Sequence, residues 1–176
     1  MKQKPIVYAE EKHLFASGFR VTQGEHEFVT YPENTSIRIW HHDVPDDYDQ
    51  HFHSAVEVII PLKGEVLVKS GDEEYRVVEG EVIMIPASCH HELHMGPNSS
   101  RELVLYEMNG VFSLKEFNVL RQLVTNPIYL TAAHPYREQV RSLFFKIIQV
   151  HRSGAVLRNM YNYALLLEIY AILGEN

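Results

Sequence analysis

Two histidines and a glutamate lie close together in the sequence, at a spacing that can bind a metal ion. His51, His53 and Glu57 occupy alternate positions, and an extended strand points alternate side chains to the same face. We therefore expect the three side chains to face the same way. Two imidazoles and a carboxylate on an inward face can bind a divalent cation. Histidines hydrogen-bonded inside a barrel without any metal are the alternative interpretation.

The segment around these residues has the pattern of many short strands. From about residue 36 to residue 108, apolar and polar residues alternate or form short β-branched runs. Glycine and proline interrupt these runs roughly every ten residues, as in an all-β sandwich or a small barrel. The three candidate ligands lie within this segment, so we expect such strands to position them.

After Gly110 the apolar period becomes helical. The segment from Ser113 to Glu116 is a capping box, so a helix is expected to begin there and to end at Asn126-Pro127. Two further helices are predicted, from Tyr136 to Arg152 and from about Ala155 to Leu173. The sequence is therefore expected to be mainly β with a C-terminal helical segment, divided into residues 1–111 and 112–176.

Two segments together resemble the paired motifs of the cupin family. His51 to Gly64 follows His-x-His-x(3)-Glu-x(6)-Gly, and Gly80, Pro86 and His91 follow the second motif. Ser88 stands where that second motif has a glycine. The resemblance implies a double-stranded β-helix, or jelly-roll, barrel. It also implies that four side chains converge inside it as metal ligands: His51, His53, Glu57 and His91. Zinc, iron, manganese or nickel would suit this set.

The helical continuation gives a narrower resemblance. A cupin followed by helices with a leucine-rich stretch at 163–170 is similar to the sensor half of AraC/XylS-type transcription regulators. This resemblance implies a small-molecule effector, a homodimer and no enzymatic activity. DNA binding would belong to a helix-turn-helix region for which this chain has no room, so we expect a truncated sensor domain. A metal-dependent cupin enzyme, a dioxygenase or isomerase, is the alternative, and a storage cupin is a third.

Three further residues are candidates for lining a ligand pocket in the barrel. Of the adjacent His41 and His42, His41 is predicted to face inward because it is in phase with Ile37 and Ile39. Trp40 and His94 complete the candidate set, with core packing and a position on the rim as their respective alternatives.

The last predicted helix carries two apolar stripes. The first recurs at spacings of three and four and consists of Leu157, Met160, Ala164, Leu167 and Ala171. The second consists of Leu166, Ile169, Tyr170 and Leu173. One barrel face cannot cover both, so we predict that the first stripe forms a two-fold dimer interface. Packing of both stripes within the chain is the alternative.

Composition excludes several classes of protein. The chain has 176 residues and a net charge of −7, which disfavours direct contact with nucleic acid. Its single cysteine, Cys89, excludes an internal disulfide and any multi-cysteine metal site. No apolar run reaches the roughly eighteen residues of a membrane span, and no signal peptide is evident at the N-terminus. We therefore expect a cytoplasmic protein.

Overall fold

The computed structural model describes residues 6–7, 21–32, 34–44, 46–108 and 125–175. In these ranges the chain forms strands first and helices last. The strands are β1 (Ile6–Val7), β2 (Val21–Gln23), β3 (His26–Phe28), β4 (Ile37–His42), β5 (Tyr48–His51), β6 (Val56–Lys63), β7 (Glu65–Ser70), β8 (Glu73–Val78), β9 (Val82–Ile85), β10 (His91–Met95), β11 (Ser100–Tyr106) and β12 (Ile128–Leu130). The helices are α1 (Arg137–Arg152) and α2 (Arg158–Gly174). The helix predicted to begin at Ser113 lies outside the described residues.

Two antiparallel sheets form the barrel. One has five strands in the order β12-β9-β6-β11-β4, and the other has four in the order β5-β10-β7-β8. A third, smaller sheet has three strands in the order β1-β2-β3. The predicted class, a jelly-roll barrel followed by helices, is confirmed. Strand β12 pairs with β9, so a segment beyond residue 111 also contributes an edge strand to the barrel sheet.

The five-stranded sheet is buried on both faces. Ile59 and Leu103 belong to the cluster between the two sheets, the barrel interior. Their neighbours Val58 and Val104 belong instead to a second cluster, together with Phe144 and other residues of α1 and α2. Alternate residues of one strand thus enter two different cores, which explains why β6 is nearly continuously apolar.

Two tight turns place the ligand-bearing segments. Gly64 has a φ of +70°, and a Cβ there would lie 2.3 Å from the Ser99 side-chain oxygen, so the glycine of the first motif is sterically required. Ser88 has a φ of +63°, a left-handed conformation that costs roughly 1–2 kcal/mol for a residue with a Cβ. Its amide donates a 2.7 Å hydrogen bond to the His53 carbonyl. This contact ties the loop before His91 to the loop that carries His53.

The helices attach to the outer face of the five-stranded sheet through buried polar contacts as well as apolar packing. The Tyr106 and Tyr170 hydroxyls lie 2.8 Å apart. Arg152, the last residue of α1, donates to both carboxylate oxygens of Glu102, at 3.2 and 2.7 Å. Within the described ranges, no helix combines the length and apolar character needed to cross a bilayer.

Candidate metal centre

Four side chains from different elements meet at one end of the barrel interior. His51 ends β5, His53 lies in the following loop, Glu57 belongs to β6 and His91 begins β10. One potential ligand atom from each lies within 4.8 Å of the others, and all four residues are buried. The structure therefore brings together the whole predicted ligand set. It does so without the continuous strand expected from 51 to 57, because the chain leaves β5 at His51 and re-enters a strand at Val56.

Backbone hydrogen bonds fix the orientation of all three imidazoles. The Nδ1 atoms of His51, His53 and His91 lie 2.8, 3.0 and 2.9 Å from the carbonyl oxygens of Asp49, Ala55 and Cys89, respectively. A carbonyl oxygen only accepts hydrogen bonds, so each Nδ1 carries a hydrogen. In the neutral ring the lone pair is then on Nε2. Contacts of this kind orient the histidine ligands of metal sites.

The Nε2 atoms converge on acidic oxygens. Those of His53 and His91 lie 3.1 and 2.9 Å from the same oxygen of Glu57. A lone pair facing a carboxylate oxygen is repulsive, so these contacts require a proton or a metal cation between the atoms. The arrangement, with three preoriented imidazoles and one carboxylate, fits a divalent transition metal.

The contacts within this cluster shift the pKa values of Glu57 and His53. Burial acts to raise the pKa of the Glu57 carboxyl, but hydrogen bonds from His53 and His91 outweigh it and hold this pKa well below its usual range. Burial acts to lower the pKa of His53, but the hydrogen bond with Glu57 outweighs it and the pKa is raised. The site thus keeps a full negative charge beside its imidazoles, as a cation would require.

A cavity of about 20 Å³ adjoins the ligand atoms. Its walls are formed by Glu27, Trp40, Tyr48, His51, His53, Glu57, Leu93, Leu103 and Leu105. A single water needs roughly 10–15 Å³ on this scale. This cavity therefore has room for an ion with a water or one small ligand group.

Glu27 is a site residue that the sequence did not reveal. It is 4% exposed, and its Oε2 lies 3.7 Å from His51 Nε2. Strand β3 reaches the site because the Glu27 amide donates to the Phe52 carbonyl and the Phe52 amide donates to the Glu25 carbonyl. The pairing with the ligand loop is parallel and tertiary, so no motif spacing could have indicated it.

The other candidate ligand-binding residues are only partly placed at the cavity. Trp40 lines it, and ligand binding by this residue stays a prediction. The prediction for His41 is wrong, because Ile37 and Ile39, with which it is in phase, face the helices. His41 instead contacts Glu102 on that outer face, at 3.1 Å, whereas His42 is buried. With both sheet faces buried, apolar alternation could not show which face was the interior.

His94 also lies outside the cavity. Strand β10 turns Leu93 and Met95 inward with His91, so His94 faces outward. Its ring nitrogens lie 3.4 Å from Asp47 and 3.5 Å from Glu92, and its side chain is 38% exposed. The structure therefore places His94 on the outer surface of the barrel, as its alternative interpretation held.

Most of the chain matches one known protein family. The family model described as AraC-like ligand binding domain matches residues 36–175, most of the chain. The chain belongs to this family. A search of curated proteins finds no match.

Several solved structures are similar to this AraC-like domain at low sequence identity. The AraC-like transcriptional activator CuxR is 9% identical, with a TM-score of 0.57, over 78% of this chain and 52% of CuxR. An apo ToxT variant from Vibrio cholerae is 12% identical, with a TM-score of 0.49, over 80% of this chain and 55% of ToxT. A cupin-2 protein from Shewanella frigidimarina is 16% identical, with a TM-score of 0.38, over 59% and 80% of the two chains. The chain spans about half the length of CuxR and of ToxT.

Proposed function

We propose that this AraC-like domain is the sensor half of a transcription regulator and that it binds a divalent metal ion inside its barrel. The ligands would be His51, His53, Glu57 and His91. The observation that carries the proposal is the shared orientation of the imidazoles, each with Nδ1 on a backbone carbonyl. A merely packed histidine has no need of this common orientation, whereas a metal site does.

Cavity size supports a metal ion as an occupant of the interior. The roughly 20 Å³ beside the ligands suits an ion and one further small group. Zinc, iron, manganese and nickel all fit a set of three imidazoles and a carboxylate, and availability would select among them. DNA contact would fall to a helix-turn-helix region of the whole regulator.

A hydrogen-bonded path connects the metal-binding loop to α2. Ser54, next to His53, donates a 2.7 Å hydrogen bond to the Glu107 carboxylate. The Glu107 carbonyl accepts a 2.9 Å hydrogen bond from Tyr163 of α2. A change at the ligand loop on metal binding would therefore shift the equilibrium between positions of α2.

We further propose that α2 forms the two-fold dimer interface. Its second stripe is used within the chain, since Leu166 and Ile169 are fully buried. On the first stripe, Leu157 and Met160 remain 65% and 70% exposed. A groove of about 780 Å³ runs beside this stripe, between Tyr163 and residues 34–36. A second copy of the stripe would cover the apolar surface that one chain leaves exposed.

Metal analysis with matched variants tests the metal site. Protein treated with a chelator is titrated with Zn²⁺, and one ion per chain is expected. His53→Ala should weaken zinc binding by more than the roughly 10- to 100-fold that loss of an outer hydrogen-bond partner costs. His94→Ala removes an outward-facing histidine and should leave the affinity unchanged. Equal affinity of the two variants would refute the site.

A metal-dependent cupin enzyme remains the second candidate function. The observation that favours it is the cavity next to the ligand atoms, since catalytic metal sites keep a position open for water or substrate. Oxygen consumption by the iron-loaded protein, measured with a panel of small organic acids and phenols, tests this function. Turnover that His53→Ala abolishes would support an enzyme. Its absence, with intact metal binding, would support the sensor.

A further inference from the structure

Glu27 is a second buried carboxylate beside the candidate metal centre, and it lies outside both sequence motifs. It is 4% exposed and lines the same cavity as His51, His53 and Glu57. Its Oε2 lies 3.7 Å from His51 Nε2. Burial acts to lower the pKa of His53, whereas the contact with Glu57 and the negative charge of Glu27 act to raise it. The Glu27 carboxylate therefore interacts with two of the three imidazoles.

Contacts of β3 hold Glu27 in this position. Its amide donates a 2.9 Å hydrogen bond to the Phe52 carbonyl, and the Phe52 amide donates a 2.9 Å hydrogen bond to the Glu25 carbonyl. The ring of His26 stacks on the ring of Phe52, with centroids 4.9 Å apart and planes inclined by 13°. Adjacent side chains of a strand point to opposite faces. The packing of His26 on Phe52 therefore directs the Glu27 carboxylate toward the interior.

The distance between Glu27 and His51 is in the range expected for two ligands of one ion. At 3.7 Å, the carboxylate oxygen and the ring nitrogen are too far apart for a hydrogen bond. Two atoms that are each bonded to one ion at roughly 2.0–2.2 Å can lie up to about 4.4 Å apart. The cavity of about 20 Å³ that both side chains line gives the carboxylate room to move toward an ion.

A second carboxylate changes which metal ions a site favours. Carboxylates suit hard ions such as Mn²⁺, whose usual geometry is octahedral, whereas Zn²⁺ is satisfied by four ligands in a tetrahedron. Iron(II) sites likewise combine imidazoles with a carboxylate and further open positions. Two ionised carboxylates also balance the charge of one divalent ion, which reduces the cost of burying that ion.

We propose that Glu27 is a fifth protein ligand for Mn²⁺ or Fe²⁺ and stays outside the coordination sphere of Zn²⁺. Glu27 would thereby determine which class of metal ion the site favours. The inference rests on the proposed metal-binding function. His51, His53, Glu57 and His91 would be the other four ligands, and the sixth position of an octahedral ion would hold a water molecule.

A comparison of affinities for two metal ions tests this role. The chelator-treated chain is titrated with Mn²⁺ and, separately, with Zn²⁺. Glu27→Gln should weaken Mn²⁺ binding by at least about 100-fold and Zn²⁺ binding by only about tenfold, because a bonded ligand is lost for Mn²⁺ and an outer supporting group for Zn²⁺. Glu25→Gln removes an exposed carboxylate of the same segment and should change neither affinity.

The number of water ligands on bound Mn²⁺ tests the coordination directly. Water enriched in the magnetic isotope of oxygen broadens the electron paramagnetic resonance lines of Mn²⁺ in proportion to the number of bound water molecules. Five protein ligands leave room for at most one water in an octahedral site. The wild-type chain should therefore show no more than one water ligand, and Glu27→Gln should show one more than the wild type.

Two results would overturn the proposal. One is the presence of two or more water ligands on Mn²⁺ in the wild-type chain, a measurement that needs no variant to fold. The other is an equal loss of Mn²⁺ and Zn²⁺ affinity in folded Glu27→Gln. Either result, with Zn²⁺ binding that depends on His53, would remove only the fifth ligand. A wild-type chain that binds neither ion would instead refute the proposed metal site.

Discussion

At the scale of single residues, the candidate metal centre is a set of groups whose protons are already assigned by their neighbours. Each of its three histidines uses Nδ1 to donate to a backbone carbonyl, which leaves Nε2 as the atom that protons and metal ions compete for. Glu57 stabilises either occupant through contacts with His53 and His91.

Metal affinity should fall as the pH falls. The contact with Glu57 outweighs burial and raises the pKa of His53 above its ordinary value of 6.5, so protonation of this ring begins to compete with the metal above pH 6.5. Below the raised pKa, the metal must displace a proton from the ring. Its apparent affinity should then fall about tenfold for each pH unit. Zinc affinity, measured against a competing chelator between about pH 8 and pH 5.5, should follow this course. His94→Ala should give the same curve, and an affinity independent of pH would contradict the assignment.

Glu27 should assist metal binding without being indispensable. Its carboxylate lies 3.7 Å from His51 Nε2, and removing its charge by Glu27→Gln should weaken zinc binding by about tenfold, as for a group that supports a ligand. Glu25→Gln is the matched control, because Glu25 is exposed on the same segment and interacts with Gln50 and His90. Equal affinities for the two variants would show that Glu27 has no such role.

At the scale of elements, β11 and the residue after it connect the barrel interior to both helices. Leu103 and Leu105 line the cavity, while Glu102 and Tyr106, on the opposite face, contact Arg152 of α1 and Tyr170 of α2. Glu107 joins the ligand loop to Tyr163. A displacement of β11 would therefore change the contacts on both faces of the sheet. An element that couples the cavity to the helices must have contacts with both.

Tyr163→Phe should uncouple metal binding from dimer stability. The change removes the hydroxyl that donates to the Glu107 carbonyl and leaves the ring in place, so zinc affinity should remain near the wild-type value. The ratio of dimer dissociation constants with and without zinc, measured by sedimentation, should move toward one. Tyr161→Phe is the control, because Tyr161 is an exposed residue on the same helix. An unchanged ratio in Tyr163→Phe would exclude this path.

At the scale of the whole molecule, α2 has one apolar stripe in the core and one that is partly exposed. On the partly exposed stripe, Leu157 and Met160 are exposed and Leu167 is half-buried. Leu166 and Ile169 fill the space between helix and sheet, with no exposed surface. Met160, Ala164 and Leu167 instead border the groove beside residues 34–36. The two stripes should therefore respond differently to substitution.

Leu167→Glu should give a folded monomer. A charge on the first stripe opposes its burial against a second copy, while the packing of Leu166 is unaffected. Sedimentation equilibrium at micromolar concentrations measures the loss of dimer, and circular dichroism checks the fold. Gln149→Glu adds the same charge to an exposed position of α1 and should remain dimeric. Leu166→Ala, by contrast, should lower the free energy of unfolding by about 2–5 kcal/mol. A wild-type chain that is already monomeric would refute the interface.

The sequence by itself determined the features that depend on local periodicity and motif spacing. Alternation and turn residues predicted the strands, helical spacing predicted α1 and α2, and the paired motifs brought His91 together with His51, His53 and Glu57. The two apolar stripes of α2 could also be predicted, because residues on one face of a helix recur at a fixed interval. Each of these features depends on residues that are near one another in the chain or on a spacing common to a family.

Only the tertiary structure decided which face was inside and what surrounds the site. His42 is buried and His41 is not. The sequence could not show this, because the helices cover the outer face of the sheet and apolar residues therefore lie on both faces. Glu27 reaches His51 through a pairing between distant segments. The size of the cavity likewise follows from how side chains of both sheets interdigitate. Such properties depend on contacts between elements, which periodicity along one chain does not specify.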